Sequence, residues 1–108
     1  MLISVNICLY NSTKYIQETL DSVFAQTYQD FEIIAIDDGS TDSTYEFIRE
    51  KYQDPRLKLY RQENHGLAYT RNKCLECSTG EYIAFLDHDD IWLPDKLRLQ
   101  ADSVFKLS

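Results

Sequence analysis

The 108-residue sequence has no long hydrophobic run, and nothing in it approaches the roughly 18 consecutive apolar residues a membrane-spanning helix needs. Basic residues are in the minority, 11 Lys and Arg against 18 Asp and Glu, giving a formal charge of -7. A nucleic-acid footprint requires a basic face, so that class of partner is excluded. With only three glycines and two prolines there is no flexible linker, and neither internal repeats nor low-complexity segments occur. The first strand-like run is not followed by G-x-G-x-x-G, and G-K-[ST] is absent, which removes the nicotinamide fingerprint and the P-loop. Three cysteines, an odd number, argue against a disulfide framework. Cys74 and Cys77 stand as C-x-x-C within a helical pattern and lack a second ligand pair, which reads as two core-facing thiols rather than a zinc or redox site. "MLISVNICLYN" has no charged region or cleavage site of a leader, so a cytoplasmic protein is expected, at most at the inner face of a membrane.

What is present is an ordinary globular composition, 44% hydrophobic and 27% charged, with enough chain for one small domain. Four strand-like runs stand out: Ile3–Leu9, Phe31–Ile36, Leu57–Arg61 and Glu81–Leu86. Between them run helical patterns. Tyr15, Ile16, Leu20, Val23 and Phe24 form the apolar stripe of a helix over Lys14–Gln26. Ser43 and Glu46 have capping-box spacing before a second helix that stops ahead of Pro55. A third helix spans about Leu67–Ser78, with Gly80 as its expected C′ residue. A fourth begins near Pro94 and carries Leu97, Ala101, Val104 and Phe105. Alternating strands and helices predict a mostly parallel, Rossmann-like α/β sheet with helices on both faces. The simplest right-handed winding gives strand order 3-2-1-4. Strand 4 would then be an uncovered edge, open to self-association, and the chain reads as an incomplete domain.

The strand ends carry the chemistry. "YNST" closes strand 1, "DDGS" closes strand 2 and "DHDD" closes strand 4. In the order 3-2-1-4 these ends are neighbours at the topological switch point, where open sheets bind ligands. Carboxylates gathered in one crevice repel each other, and a divalent cation, Mg²⁺ or Mn²⁺, relieves that best while sharing its coordination with phosphates. Asp87 and Asp89, as D-x-D at a strand end, are the metal candidates. Tyr10 offers a ring for base stacking, Asp38 an acceptor for a base N–H, and Arg71 a charge for phosphate. Asp37 is divided evenly between this site and a plain Asp-Gly turn. Asn11 has a capping role for the first helix open to it as well. Asp90 reads as a turn residue, Trp92 and Tyr69 as packing, His65 as a loop residue, and His88 as pointing outward.

The blocks "ISVNICLYNSTKYIQETLDSVFAQTY", "DFEIIAIDDGSTDST", "RQENHGLAYTRNKCL" and "GEYIAFLDHDDIWLPDKL" resemble, in order and spacing, family 2 glycosyltransferases of the GT-A fold. The resemblance implies a hexosyltransferase, usually inverting, that takes a nucleotide diphosphate-sugar, UDP-sugar foremost, to a glycan or lipid-linked acceptor in polysaccharide or cell-surface glycan synthesis. It places residues 1–108 in the donor-nucleotide part of the domain. By block match Tyr10 and Asn11 lie at base and ribose, Asp38 at the base, Arg71 near the nucleotide, Asp87 near the ribose and Asp89 on the metal. Cys8 departs from the family, whose first strand commonly has proline there. The resemblance sets the catalytic base beyond Ser108, so residues 1–108 alone are expected to be inactive. Three other readings compete. One is a non-catalytic nucleotide-binding module. Another is a phosphorelay receiver, which would need paired acids at the end of strand 1, where Tyr10 and Asn11 stand. The third is a haloacid-dehalogenase-like phosphatase using Asp87 and Asp89, which would want Gly-Thr after the second acid and its motif on the first strand.

Overall fold

The computed structural model describes residues 1–107, with side chains through Val104, so the expected contribution of Phe105 lies outside the described residues. Four strands, β1 (Ile3–Leu9), β2 (Phe31–Asp38), β3 (Leu57–Gln62) and β4 (Tyr82–Leu86), alternate with α1 (Ile16–Phe24), α2 (Thr44–Lys51), α3 (Leu67–Cys77) and α4 (Lys96–Leu107). The strands form one parallel sheet in the order β3-β2-β1-β4, as the crossover rule requires.

Successive side chains of a strand point to opposite faces, and the two faces of β1 differ in chemistry. Ile3, Val5, Ile7 and Leu9 enter the main core with Phe31, Ile33 and Ala35 of β2, Ile16, Leu20 and Val23 of α1, Ile48 of α2, and Leu97 and Ala101 of α4. Each buried Val, Leu, Ile or Phe side chain contributes about 1.5–3 kcal/mol by leaving water. The opposite face is covered by α3, and its apolar part is small: Ile34, Ile36 and Cys74, flanked by Cys8 and Cys77. The two C-x-x-C thiols therefore pack toward the sheet, as expected. Trp92 is buried in the main core, whereas Tyr69 is exposed and lies against His65, with ring centroids 4.3 Å apart and the planes tilted by 33°.

Local differences from the sequence reading have identifiable causes. The capping box does not form. Asp42 takes its place, accepting from the Thr44 N–H and hydroxyl at the start of α2, while Glu46 is drawn to Arg61 at 3.0 Å. Gly80 is not a C′ residue, because α3 already ends at Cys77 with an extended Ser78. Gly80 lies where a Cβ would sit 2.7 Å from the Ser4 nitrogen and 2.8 Å from the Leu2 oxygen, so it is glycine for close approach to β1. β2 runs two residues further than predicted and carries Asp37 and Asp38 within the strand.

Candidate functional site

At the carboxyl ends of β1, β2 and β4 lies a cavity of about 590 Å³ whose lining includes Tyr10, Asp38, Arg71, Asp87 and Asp89. The switch point thus gathers five of the six predicted site residues. The sixth, Asn11, does not line it. Its backbone is left-handed at φ 49°, a conformation asparagine tolerates. Its side-chain Oδ1 accepts from the Thr41 N–H at 2.9 Å and the Asp42 N–H at 3.3 Å. Asn11 braces the turn into α2, and it does not cap α1, whose first N–H groups bond to the Ser12 carbonyl.

The two acids ending β2 divide their work. Asp37 is fully buried and accepts from the Ser40 N–H and hydroxyl, with Arg61 at 3.7 Å, so the turn reading applies to it. Between Asp38 and Ser40, Gly39 at φ 72° packs against the Asn64 backbone too closely for any Cβ. Asp38 lines the cavity, yet its carboxylate also gathers the loop that follows β3. Oδ1 accepts from Gln62 Nε2 at 3.0 Å and the His65 N–H at 2.8 Å, and Oδ2 from the Gly66 N–H at 3.0 Å. Burial pushes this carboxyl up, but those donors and the Thr70 hydroxyl outweigh it and hold Asp38 below the usual carboxylate range. It is an anion at neutral pH. The same contacts set Asn64, Gly66 and Thr70 on the cavity wall, positions that the sequence did not single out.

The acidic turn after β4 has the geometry expected of D-x-D. The Asp90 N–H bonds to the Asp87 carbonyl at 3.0 Å, closing a turn in which Asp87 and Asp89 are exposed to the cavity, and Asp90 keeps its turn role. Among the described residues neither the Asp87 nor the Asp89 carboxylate accepts a protein hydrogen bond, and Arg71 has no ion pair. No group of three or more His, Cys, Asp or Glu among the described residues could hold a metal by itself. Two free carboxylates at the rim of a cavity that also holds Arg71 fit Mg²⁺ or Mn²⁺, which draw one or two carboxylates from protein and the rest from phosphate and water.

His88 does not point outward. Its Nδ1 lies 2.6 Å from Ser12 Oγ, while its carbonyl accepts from the Thr19 hydroxyl at 3.1 Å. The Tyr10 N–H also donates to Ser12 Oγ, so this one hydroxyl ties the end of β1 to the acidic turn. The Ser12 N–H in turn donates to Thr44 Oγ1 at 2.8 Å. The middle residue of D-x-D is therefore the peg that holds the acidic turn to the start of α1.

The comparisons with known proteins agree with this geometry. The family described as Glycosyl transferase family 2 matches residues 4–106. TuaG of Bacillus subtilis (strain 168), a glycosyltransferase named for teichuronic acid biosynthesis, is 41% identical over 99% of this chain and 43% of its own length. The structure of S. aureus TarS 1–349 with UDP superposes with a TM-score of 0.90 at 33% identity, covering 98% of this chain and 32% of that one. The mannosyltransferase PcManGT from Pyrobaculum calidifontis, solved with GDP-Man and Mn²⁺, gives a TM-score of 0.77 at 32% identity over 83% of this chain and 28% of its own. This chain spans less than half the length of each of these relatives. Its sheet order, the acids at its strand ends and its match along nearly all its residues have one reading: the chain belongs to glycosyl transferase family 2, with the GT-A fold.

Proposed function

We propose that this chain forms the donor-nucleotide half of a glycosyltransferase site that takes UDP-sugar. The observation carrying the proposal is the single cavity in which Tyr10, Asp38 and Arg71 face the unpaired carboxylates of Asp87 and Asp89. Tyr10 stacks on the base, Asp38 and the loop it orders read the base edge, and Arg71 neutralises phosphate. Asp87 lies beside the ribose and shares with Asp89 the holding of Mg²⁺ or Mn²⁺, which would stabilise the diphosphate leaving group. The acceptor hydroxyl attacks the anomeric carbon from the opposite side, with inversion, assisted by a base supplied outside these residues. UDP in the TarS structure and Mn²⁺ in the PcManGT structure support donor class and metal for the family. The name of TuaG, teichuronic acid biosynthesis, supports a cell-surface polysaccharide as product; manufacture at the cytoplasmic side from a glycan or lipid-linked acceptor completes the proposal.

Calorimetry with UDP and GDP, with Mn²⁺ and with EDTA, tests this. UDP is expected to bind more tightly than GDP and only with metal. Asp89→Ala should abolish the metal dependence, and Asp90→Ala should leave it intact. Equal affinity in EDTA would overturn the metal bridge.

A further inference from the structure

The turn that carries Asp87 and Asp89 is held unevenly. Asp87 follows directly on Leu86, which closes β4 in register with Ile7 of β1, so the sheet sets where Asp87 stands. The bond from the Asp90 N–H to the Asp87 carbonyl makes His88 and Asp89 the two central residues of the turn. The peptide joining such a central pair is the loose part, because turn types differ in which way it faces. Its carbonyl is that of His88, which the Thr19 hydroxyl holds at 3.1 Å, while Ser12 Oγ holds His88 Nδ1 at 2.6 Å. Asp89 makes no hydrogen bond of its own to another described residue. Its direction is inherited from His88. The two residues that hold His88 are themselves fixed, since Ser12 and Thr19 are both fully buried. Ser12 Oγ accepts from the Tyr10 N–H at 3.2 Å, and the Ser12 N–H donates to Thr44 Oγ1 at 2.8 Å. The Ser12 carbonyl accepts from the Tyr15 and Ile16 N–H groups at 3.1 and 3.0 Å.

We propose that Ser12 and His88 are positioning residues for the metal, their contact orienting Asp89, and not Asp87, toward the Mg²⁺ or Mn²⁺ that meets the diphosphate. The inference rests on the donor-site reading given above and deepens its metal half alone. The selectivity comes from the two ways the acids are held. Asp87 is set by strand pairing and keeps its place beside the ribose when the Ser12 contact is lost. Asp89 depends on the central peptide of the turn, and without the Ser12 contact only the Thr19 hydroxyl restrains that peptide. A peptide that rotates turns Asp89 away, and the cation then draws one protein carboxylate where it would draw two. Groups that orient a metal ligand typically cost about 10–100-fold in metal affinity when removed. Ser12 acts on Asp89 through the backbone of His88, so the lower end of that range is expected.

The test measures two affinities on the purified chain. Electron paramagnetic resonance of free Mn²⁺ gives metal affinity in the presence of UDP, and calorimetry gives the affinity for uridine without metal. In His88→Ala and in Ser12→Ala, Mn²⁺ affinity should fall about tenfold. The double variant should lose no more than either single one, because both remove the same contact. Uridine has no phosphate to meet a metal, and it should bind His88→Ala as it binds the unsubstituted chain. His88→Asn keeps an amide that can donate to or accept from Ser12 Oγ, so it should restore most of the Mn²⁺ affinity. His88 is only half-buried, so its variants decide the matter even where Ser12→Ala fails to fold. Unchanged Mn²⁺ affinity in His88→Ala, additive losses in the double variant, equal loss of uridine and Mn²⁺, or no recovery in His88→Asn would each overturn the proposal. If the unsubstituted chain binds UDP no better with Mn²⁺ than in EDTA, the metal bridge itself fails and this inference with it, a result seen before any substitution is made.

Discussion

At the scale of single residues, two adjacent aspartates of identical chemistry are separated by the pleat. Asp37 turns to the interior and Asp38 to the cavity. Asp37→Asn would keep the shape but exchange a charged acceptor of the Ser40 hydroxyl for a neutral one, beside Arg61. Its cost should appear in folding, at about 1–3 kcal/mol, the range for a hydrogen bond to a charged group. Asp38→Asn offers an NH₂ where the His65 or Gly66 N–H now donates, so it should loosen the 62–66 loop and weaken UDP binding by about 1–3 kcal/mol. Denaturant titration and calorimetry on both variants distinguish the roles, since Asp37→Asn should move the unfolding midpoint and spare the Kd. Equal loss of UDP affinity in both would refute this division of labour.

At the scale of elements, the end of the sheet opposite the cavity is clasped by one buried carboxylate. Glu32 of β2 accepts from Ser4 of β1 at 2.5 Å, Lys58 of β3 at 2.7 Å and the Thr79 N–H before β4 at 2.7 Å. Burial pushes this carboxyl up, but Lys58, Ser4 and Thr79 together bring it down to about 2 from an ordinary value of 4.5. A carboxyl depressed in the folded state stabilises the fold above its unfolded pKa, and that stability is lost as the pH falls toward the folded value. Chemical denaturation between about pH 5 and pH 2 should therefore lose on the order of 3 kcal/mol through this group. In Glu32→Gln that share of the slope should vanish; an unchanged slope would mean that other acids carry it. Nothing in "DFEII" announces the clasp, because the partners of Glu32 are fixed by strand register. The elements themselves were legible. Alternation of Ile3, Val5, Ile7 and Leu9 with polar neighbours marks β1, and acids closing apolar runs mark the sheet's functional end. The Ser12 to His88 contact joins residues 76 apart and was invisible for the same reason as the clasp, as was the pairing of Glu46 with Arg61 of β3 that takes it from the capping box.

At the scale of the whole molecule, α1 and the residues after it form a strut under the acidic turn. The Thr19 hydroxyl bonds to the His88 carbonyl, Ser22 Oγ accepts the Trp92 N–H at 3.1 Å, and Gln26 bridges the Leu93 carbonyl and the Leu97 N–H. Asp87 and Asp89 are thereby held by a rigid helix at the rim of a cavity whose other wall, beyond β4, is open. β4 pairs only with β1 among the described strands, Phe85 is 53% exposed on it, and Leu93 and Leu99 are 79% and 63% exposed nearby. An unpaired edge beside bare apolar side chains favours association with another copy. The acids and the histidine on the cavity wall have other work: Asp38 orders its loop and His88 holds Ser12, while the proposed function assigns Asp87 and Asp89 to ribose and metal. None is left to deprotonate an acceptor, and general-base assistance is typically worth about 10²–10⁴-fold. The 108-residue chain should therefore bind UDP weakly with Mn²⁺, sediment as concentration-dependent oligomers, and release no UDP from UDP-sugar in the presence of candidate acceptors. A charged residue on the β4 edge, Phe85→Lys, should shift sedimentation toward the monomer. Robust sugar transfer by the monomeric chain would show that the catalytic base lies within these residues, and His88, freed from Ser12, would be the first group to substitute.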